Sequence, residues 1–228
     1  MTITATTLTR AAGVAAATAG AIFVGVQIGH PHLDVDSITS AEVVVRNSAK
    51  VAMAVLAVVG ITGMYLSQVR RNGVLGLVGY LVLAAGYLSI AATSMVAAYV
   101  LPALAESNPS YVADVITVST SGTPDGDVGA LAVVWSFQGY AYLAGGLLFG
   151  LALFRAKVLT RWATILLAAG GVISIALSVM PDAFYRLLAY PNGIAMVALG
   201  ISLFRTADQH DTNAEAAAAT VPVTPASA

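Results

Sequence analysis

His30-Pro31-His32-Leu33-Asp34-Val35-Asp36 is the string best equipped for chemistry, with two imidazoles and two carboxylates within seven residues. Zinc and other divalent cations take these ligand types. His30, His32, Asp34 and Asp36 are therefore the candidate metal set. Pro31 stiffens the pair, the spacing matches no closed structural zinc site, and a solvated loop explains every residue equally well. Asp125-Gly126-Asp127 has the carboxylates for calcium but not the remaining ligands of an EF-hand loop. A second constellation consists of Arg46, Lys50, Asp182 and Arg186 with Tyr185 and Tyr190. On the helix assignment below, all six fall at the outer ends of helices two, five and six. Three cations beside aromatics would suit an anionic headgroup or amphiphile entering from the outer leaflet. Snorkelling side chains and rim ion pairs are the plainer account.

The elements that must position these residues are membrane helices. Leu75 to Leu101 runs 27 residues without an Asp, Glu, Lys, Arg or His. At about 1.5 Å per residue such a helix crosses a hydrocarbon core of about 30 Å with tilt to spare. Backbone in lipid must satisfy its own hydrogen bonds, so the flanking apolar runs are expected to be helices too. A chain that is 58% hydrophobic and 9% charged, with a mean hydropathy of +0.86, fits no ordinary soluble class. The expected fold is an all-α polytopic bundle of six transmembrane helices, at about 10–29, 47–68, 74–101, 129–154, 158–180 and 184–204. Residues 1–206 then form one transmembrane domain and 207–228 a disordered cytoplasmic tail. The run Ala11 to Ile28 is 18 residues long and lacks a clear cleavage site, so it reads as a retained first helix rather than a signal peptide. Tyr111 to Val118, in the longest polar connection, reads as either a short interfacial helix or an extended segment.

Lysine and arginine collect in cytoplasmic loops. With the amino terminus inside, Arg10, Arg70, Arg71, Arg155, Lys157, Arg161 and Arg205 are inside, against Arg46, Lys50 and Arg186 outside. Both termini are therefore expected in the cytoplasm. A weak internal repeat agrees: Leu83-Ala84-Ala85-Gly86 matches Leu167-Ala168-Ala169-Gly170, and Gly150 to Arg155 matches Gly200 to Arg205. A threefold helical-hairpin repeat would give this pattern; chance matching of alanine- and leucine-rich segments is the competing account.

Ionisable residues are nearly absent from the helix centres, which argues against a carboxylate proton relay. The neutral polar residues Gln27, Thr62, Tyr80, Tyr87, Gln138, Tyr140, Tyr142 and Asn192 are expected to make interhelical hydrogen bonds or an aromatic belt. Ala12, Ala16 and Gly20, and Gly146 with Gly150, are small-residue faces that would serve the internal bundle or a homodimer. Cysteine is absent, which removes disulfides, thiol catalysis and iron–sulfur clusters. No basic face points to nucleic acid.

Leu8-Thr9-Arg10-Ala11-Ala12-Gly13, the His30-Pro31 exit, Gly145-Gly146-Leu147-Leu148-Phe149-Gly150 and Arg161-Trp162-Ala163 resemble an uncharacterised family of small six-helix integral membrane proteins of actinobacteria. The resemblance spans residues 8 to 205. It implies a bacterial plasma membrane and supplies no catalytic residues.

The leading expectation is a non-enzymatic membrane protein that binds a lipid, a small amphiphile or a protein partner, with no cofactor and with a homo-oligomer left open. The alternatives are a small transporter or channel, and an intramembrane enzyme using His30, Asp34, Asp36 and Asp182 at its outer rim.

Overall fold

A computed structural model describes residues 3–29, 31–120, 122–178 and 189–219. Among these residues there are seven helices and no strand. They are α1 (Ala5–Gly25), α2 (Ala41–Leu66), α3 (Val69–Leu104), α4 (Pro109–Ser119), α5 (Ala130–Ala156), α6 (Arg161–Ser178) and α7 (Ala189–Ala219). Four of them, α1, α2, α3 and α5, are long and apolar enough to cross a membrane, which marks the chain as a membrane protein.

Several helices start before the apolar run does, because caps rather than hydropathy set the ends. The Thr4 hydroxyl accepts from the Thr7 backbone N–H and starts α1 at Ala5, ahead of the expected residue 10. Ser40 does the same for α2 through the Val43 N–H, so α2 begins at Ala41 rather than 47 and carries Arg46 inside its second turn. Within α3, Gly73 takes φ 58° and ψ −160°, a kink just before residue 74, where the apolar run was expected to begin as a helix. Further along, Val96–Val100 widens into a π turn just before Pro102. Proline has no N–H to offer the preceding turn, and the helix absorbs the loss and continues to Leu104.

The undecided segment around Tyr111 is a helix, α4. Pro109 sits in its first turn and the Asn108 side chain accepts from the Tyr111 N–H. Val112, Val115 and Ile116, at helical spacing, are buried against Ile38, Val43, Leu101 and Val128 in a small apolar cap. At the other end of the chain, α7 runs through to Ala219, across residues read from sequence as the start of a disordered tail. Alanine and glutamate are strong helix formers, and Arg10 of α1 holds this extension through Asp208 at 2.6 Å. Residues 220–228 of that tail lie outside the described residues.

Six of the helices form a ring in chain order: α1 on α2, α2 on α3, α3 on α5, α5 on α6, α6 on α7, and α7 back on α1. Met53, Leu83, Tyr87, Phe149, Met196 and Leu199, all fully buried, fill its middle. The two most extensive joints are α3 with α5 and α7 with α1. In both, glycines recur every seven residues, which returns them to nearly the same helix face. A methyl group added to Gly13 would lie 2.8 Å from the Gly200 carbonyl oxygen, and one on Gly86 would lie 2.8 Å from the Tyr142 nitrogen. Backbones this close tolerate no side chain between them, which is how apolar helices gain contact where water supplies no drive.

These antiparallel joints gather the charges at two ends. Arg10, Arg70, Arg71, Arg155, Lys157, Arg161 and Arg205 lie at what we call the basic end. The α4 cap, with Asp34, Asp36, Glu42, Asp114, Asp125 and Asp127, together with Arg46 and Lys50, forms the acidic end.

Candidate functional site

At the acidic end, two of the side chains highlighted by the sequence, Arg46 and Asp34, are engaged in holding backbone. The Arg46 guanidinium donates through Nη1 to the Val26 and Ile28 carbonyls at 3.0 and 2.9 Å, and through Nη2 to Gly29 at 3.2 Å. Its Nε and Nη2 also reach Glu42 Oε1 at 3.0 and 2.8 Å. The carbonyls at the end of α1 have no further helical turn to bond to, and Arg46 satisfies them. Lys50, one turn further along the same face of α2, donates to Asn47 Oδ1 at 3.3 Å. Tyr190 lies half-buried near the start of α7. Asp182, Tyr185 and Arg186, the other members of that constellation, lie outside the described residues.

Of the candidate metal set, His30 also lies outside the described residues. His32, Asp34 and Asp36 share one loop, in which Asp34 Oδ1 accepts the Ser37 N–H at 2.7 Å and the Ser37 hydroxyl donates to the His32 carbonyl at 2.9 Å. Among the described residues, no three histidine, aspartate or glutamate side chains are grouped to hold a metal ion. The Ser37 backbone N–H, and then its hydroxyl, hold the Asp34 carboxyl below the usual carboxylate range. Asp114 accepts the backbone N–H groups of Asp125 and Gly126 at 2.9 and 3.2 Å and fastens the loop after α4.

Several of the neutral polar residues inside the bundle join helices. Thr62 of α2 meets the Tyr80 hydroxyl of α3 at 3.0 Å, and Thr93 of α3 donates to Gln138 of α5 at 2.6 Å. Tyr87 and Tyr142 pack edge to face with centroids 5.4 Å apart. Asn192 is buried, with its side chain beside Gly170 of α6.

The basic end is built differently. Lys157 ends α5 in a left-handed conformation (φ 57°, ψ 29°), and the chain turns over three residues before α6 starts at Arg161. The Thr160 N–H donates to the Ser202 hydroxyl of α7 at 3.0 Å, pinning this turn across the bundle. The Arg161 guanidinium lies 4.6 Å from the centroid of the Phe154 ring. Between the turn and α7 opens a cleft of about 620 Å³, with Thr160, Arg161, Trp162, Ser202, Arg205 and Gln209 among its walls. Among the described residues no carboxylate lines it and none pairs with Arg161 or Arg205. Trp162 is 55% exposed and Ile201 43%, so the cleft opens beside an apolar outer face. A second, shallower furrow of about 150 Å³ runs between α1 and α7 over Gly13, Ala17 and Gly200. Ile201 and Arg205 line both spaces, which lie side by side on the two flanks of α7.

Sequence reasoning had given Arg161 and Arg205 a role only in orienting the chain. The available signal was the four-residue spacing of Ile201, Arg205 and Gln209 on α7, which puts an apolar, a cationic and an amide side chain in one row.

No family model, curated protein or solved structure matches this chain.

Proposed function

We propose that this chain is a six-crossing integral protein of a bacterial plasma membrane, with both termini in the cytoplasm, and that it acts without catalysis by binding an amphiphile at its basic end. The 620 Å³ cleft carries the reading: cationic and hydroxyl-bearing on one side, open beside an apolar face on the other, and among the described residues without a carboxylate in its walls. Pockets that take small amphiphiles combine apolar walls with a few placed polar groups. In support of six crossings, α6 and α7 complete the ring begun by the four apolar helices, and the 18 residues of α6 extend about 27 Å at 1.5 Å each. In support of the orientation, the seven cations of the basic end match the cytoplasmic excess seen in membrane proteins. The filled middle of the ring, with Tyr87, Phe149 and Met196 fully buried, favours binding at the periphery over conduction through the centre.

Native mass spectrometry of the gently extracted protein tests this reading. The expected spectrum carries a discrete non-protein mass that is lost from the Arg161→Ala/Arg205→Ala double variant. A wild-type protein that stays bare in every mild detergent, or an adduct that survives in the double variant, defeats the assignment.

A further inference from the structure

We infer that the cleft and the furrow together hold one anionic phospholipid of the leaflet at the basic end, its phosphate between Arg161 and Arg205 and one acyl chain along the furrow between α1 and α7. This inference rests on the amphiphile reading above and adds charge, size and orientation to it.

The charge follows from the walls. Arg161 and Arg205 are exposed at the cleft, among the described residues no carboxylate lines it, and Gln209 and Thr160 add an amide and a hydroxyl. Two guanidinium groups without counter-charges favour an acceptor-rich anion such as a phosphodiester. A zwitterionic headgroup would bring its ammonium against the same cations and gain less.

The size follows from the volume. At about 30 Å³ per molecule in the liquid, 620 Å³ has room for roughly twenty waters, far more than a bare phosphate fills. A glycerophosphate headgroup with the first carbons of its chains is a better match.

The orientation follows from the adjacency of the two spaces. Ile201 and Arg205 line both, so a chain leaving the cleft at these residues meets the furrow floored by Gly13, Ala17 and Gly200, with Val14 and Phe204 along its length. The furrow lies over the close α1–α7 joint, where Gly13 and Gly200 pack backbone to backbone. An acyl chain lying in it gains dispersion contact with the apolar residues on both sides. Because α7 returns to α1 here to close the ring, the bound lipid also bridges the closing joint.

The test is thermal unfolding of the full chain in a neutral detergent, titrated separately with phosphatidylglycerol, phosphatidylcholine and glycerol phosphate. Phosphatidylglycerol is expected to stabilise most, and Arg161→Gln and Arg205→Gln each to weaken its apparent affinity about fivefold. Arg70→Gln, an exposed cation of the same end away from the cleft, is expected to change nothing. Val14→Phe, which fills the furrow from its exposed side, is expected to weaken the phospholipid response and leave the wild-type melting temperature in detergent alone unchanged.

Equal stabilisation by phosphatidylglycerol and phosphatidylcholine would overturn the anionic assignment while leaving an amphiphile site standing. Glycerol phosphate acting as strongly as the lipid would overturn the acyl-chain half and make the ligand a free anion. A loss with Arg70→Gln equal to that with Arg205→Gln would reduce the effect to general charge. No response to any of the three would bring down both this inference and the amphiphile reading.

Discussion

The two ends of this bundle use arginine in opposite ways. At the acidic end, Arg46 has side-chain exposure of 19% and is occupied by three carbonyls at the end of α1 and by Glu42. At the basic end, Arg205 is exposed and borders two neighbouring spaces, with no carboxylate against it among the described residues. A cation whose donors are already committed to backbone stabilises the fold, whereas one beside an open cleft can meet a ligand. Residue type and rim position are the same in both cases, and the partner decides the role.

The sharpest way to break this contrast is to remove each arginine and measure stability. Arg46→Ala strips charge-assisted hydrogen bonds from the end of α1 and is expected to cost about 2–3 kcal/mol in reversible unfolding in mixed micelles. Arg205→Ala is expected to stay within about 0.5 kcal/mol of wild type, as surface substitutions do. Comparable losses would show that the ends do not differ as described. The same pair read for lipid retention should reverse: Arg205→Ala loses it and Arg46→Ala keeps it.

A smaller effect is expected at Asp114, which joins α4 to the following loop through two backbone N–H groups. Asp114→Ala should cost about 1 kcal/mol, and amide exchange at Asp125 and Gly126 should quicken. Unchanged exchange at those two amides would mean that the carboxylate does not hold the loop.

How far the sequence revealed this arrangement depends on the range of the interactions involved. Apolar runs longer than a bilayer crossing announced the helices, because that property is local and additive along the chain. The helix starts lie ahead of the apolar runs because caps at Thr4 and Ser40 set them. Ser40 with Glu42 in the first turn after it was the better signal for α2, and moving its start to Ala41 is what places Arg46 inside the helix, able to reach back to α1. The extension of α7 was hidden by tail-like composition, although alanine-rich sequence forms helix readily once one end is anchored, here by Arg10 and Asp208. The cleft was hardest to read. Its walls come from the α5–α6 turn and from α7, about 40 residues apart in sequence, and the packing and the Thr160 to Ser202 bond that join them are announced by no local pattern.

The finest test concerns Asp34, in the loop before α2, and it probes the acidic end as a structure built from its own carboxylates. Its carboxyl is held below the ordinary value of 3.8, first by the Ser37 N–H and then by the Ser37 hydroxyl. Since the folded state favours the charged form, the contribution of Asp34 to stability is complete above pH 3.8 and declines as pH falls through its lower folded value. Carboxyl NMR in micelles should place the Asp34 titration below 3.8, and Asp34→Asn should remove part of the acid-induced loss of stability without altering the plateau's pH independence near neutrality. The group is fully solvent-exposed, so the change is expected to be the smallest of the three. A titration at or above the ordinary value would mean that Ser37 does not hold this carboxylate in its charged form. The loop would then be an ordinary solvated segment, and the contrast between ends would rest on Arg46 and Asp114 alone.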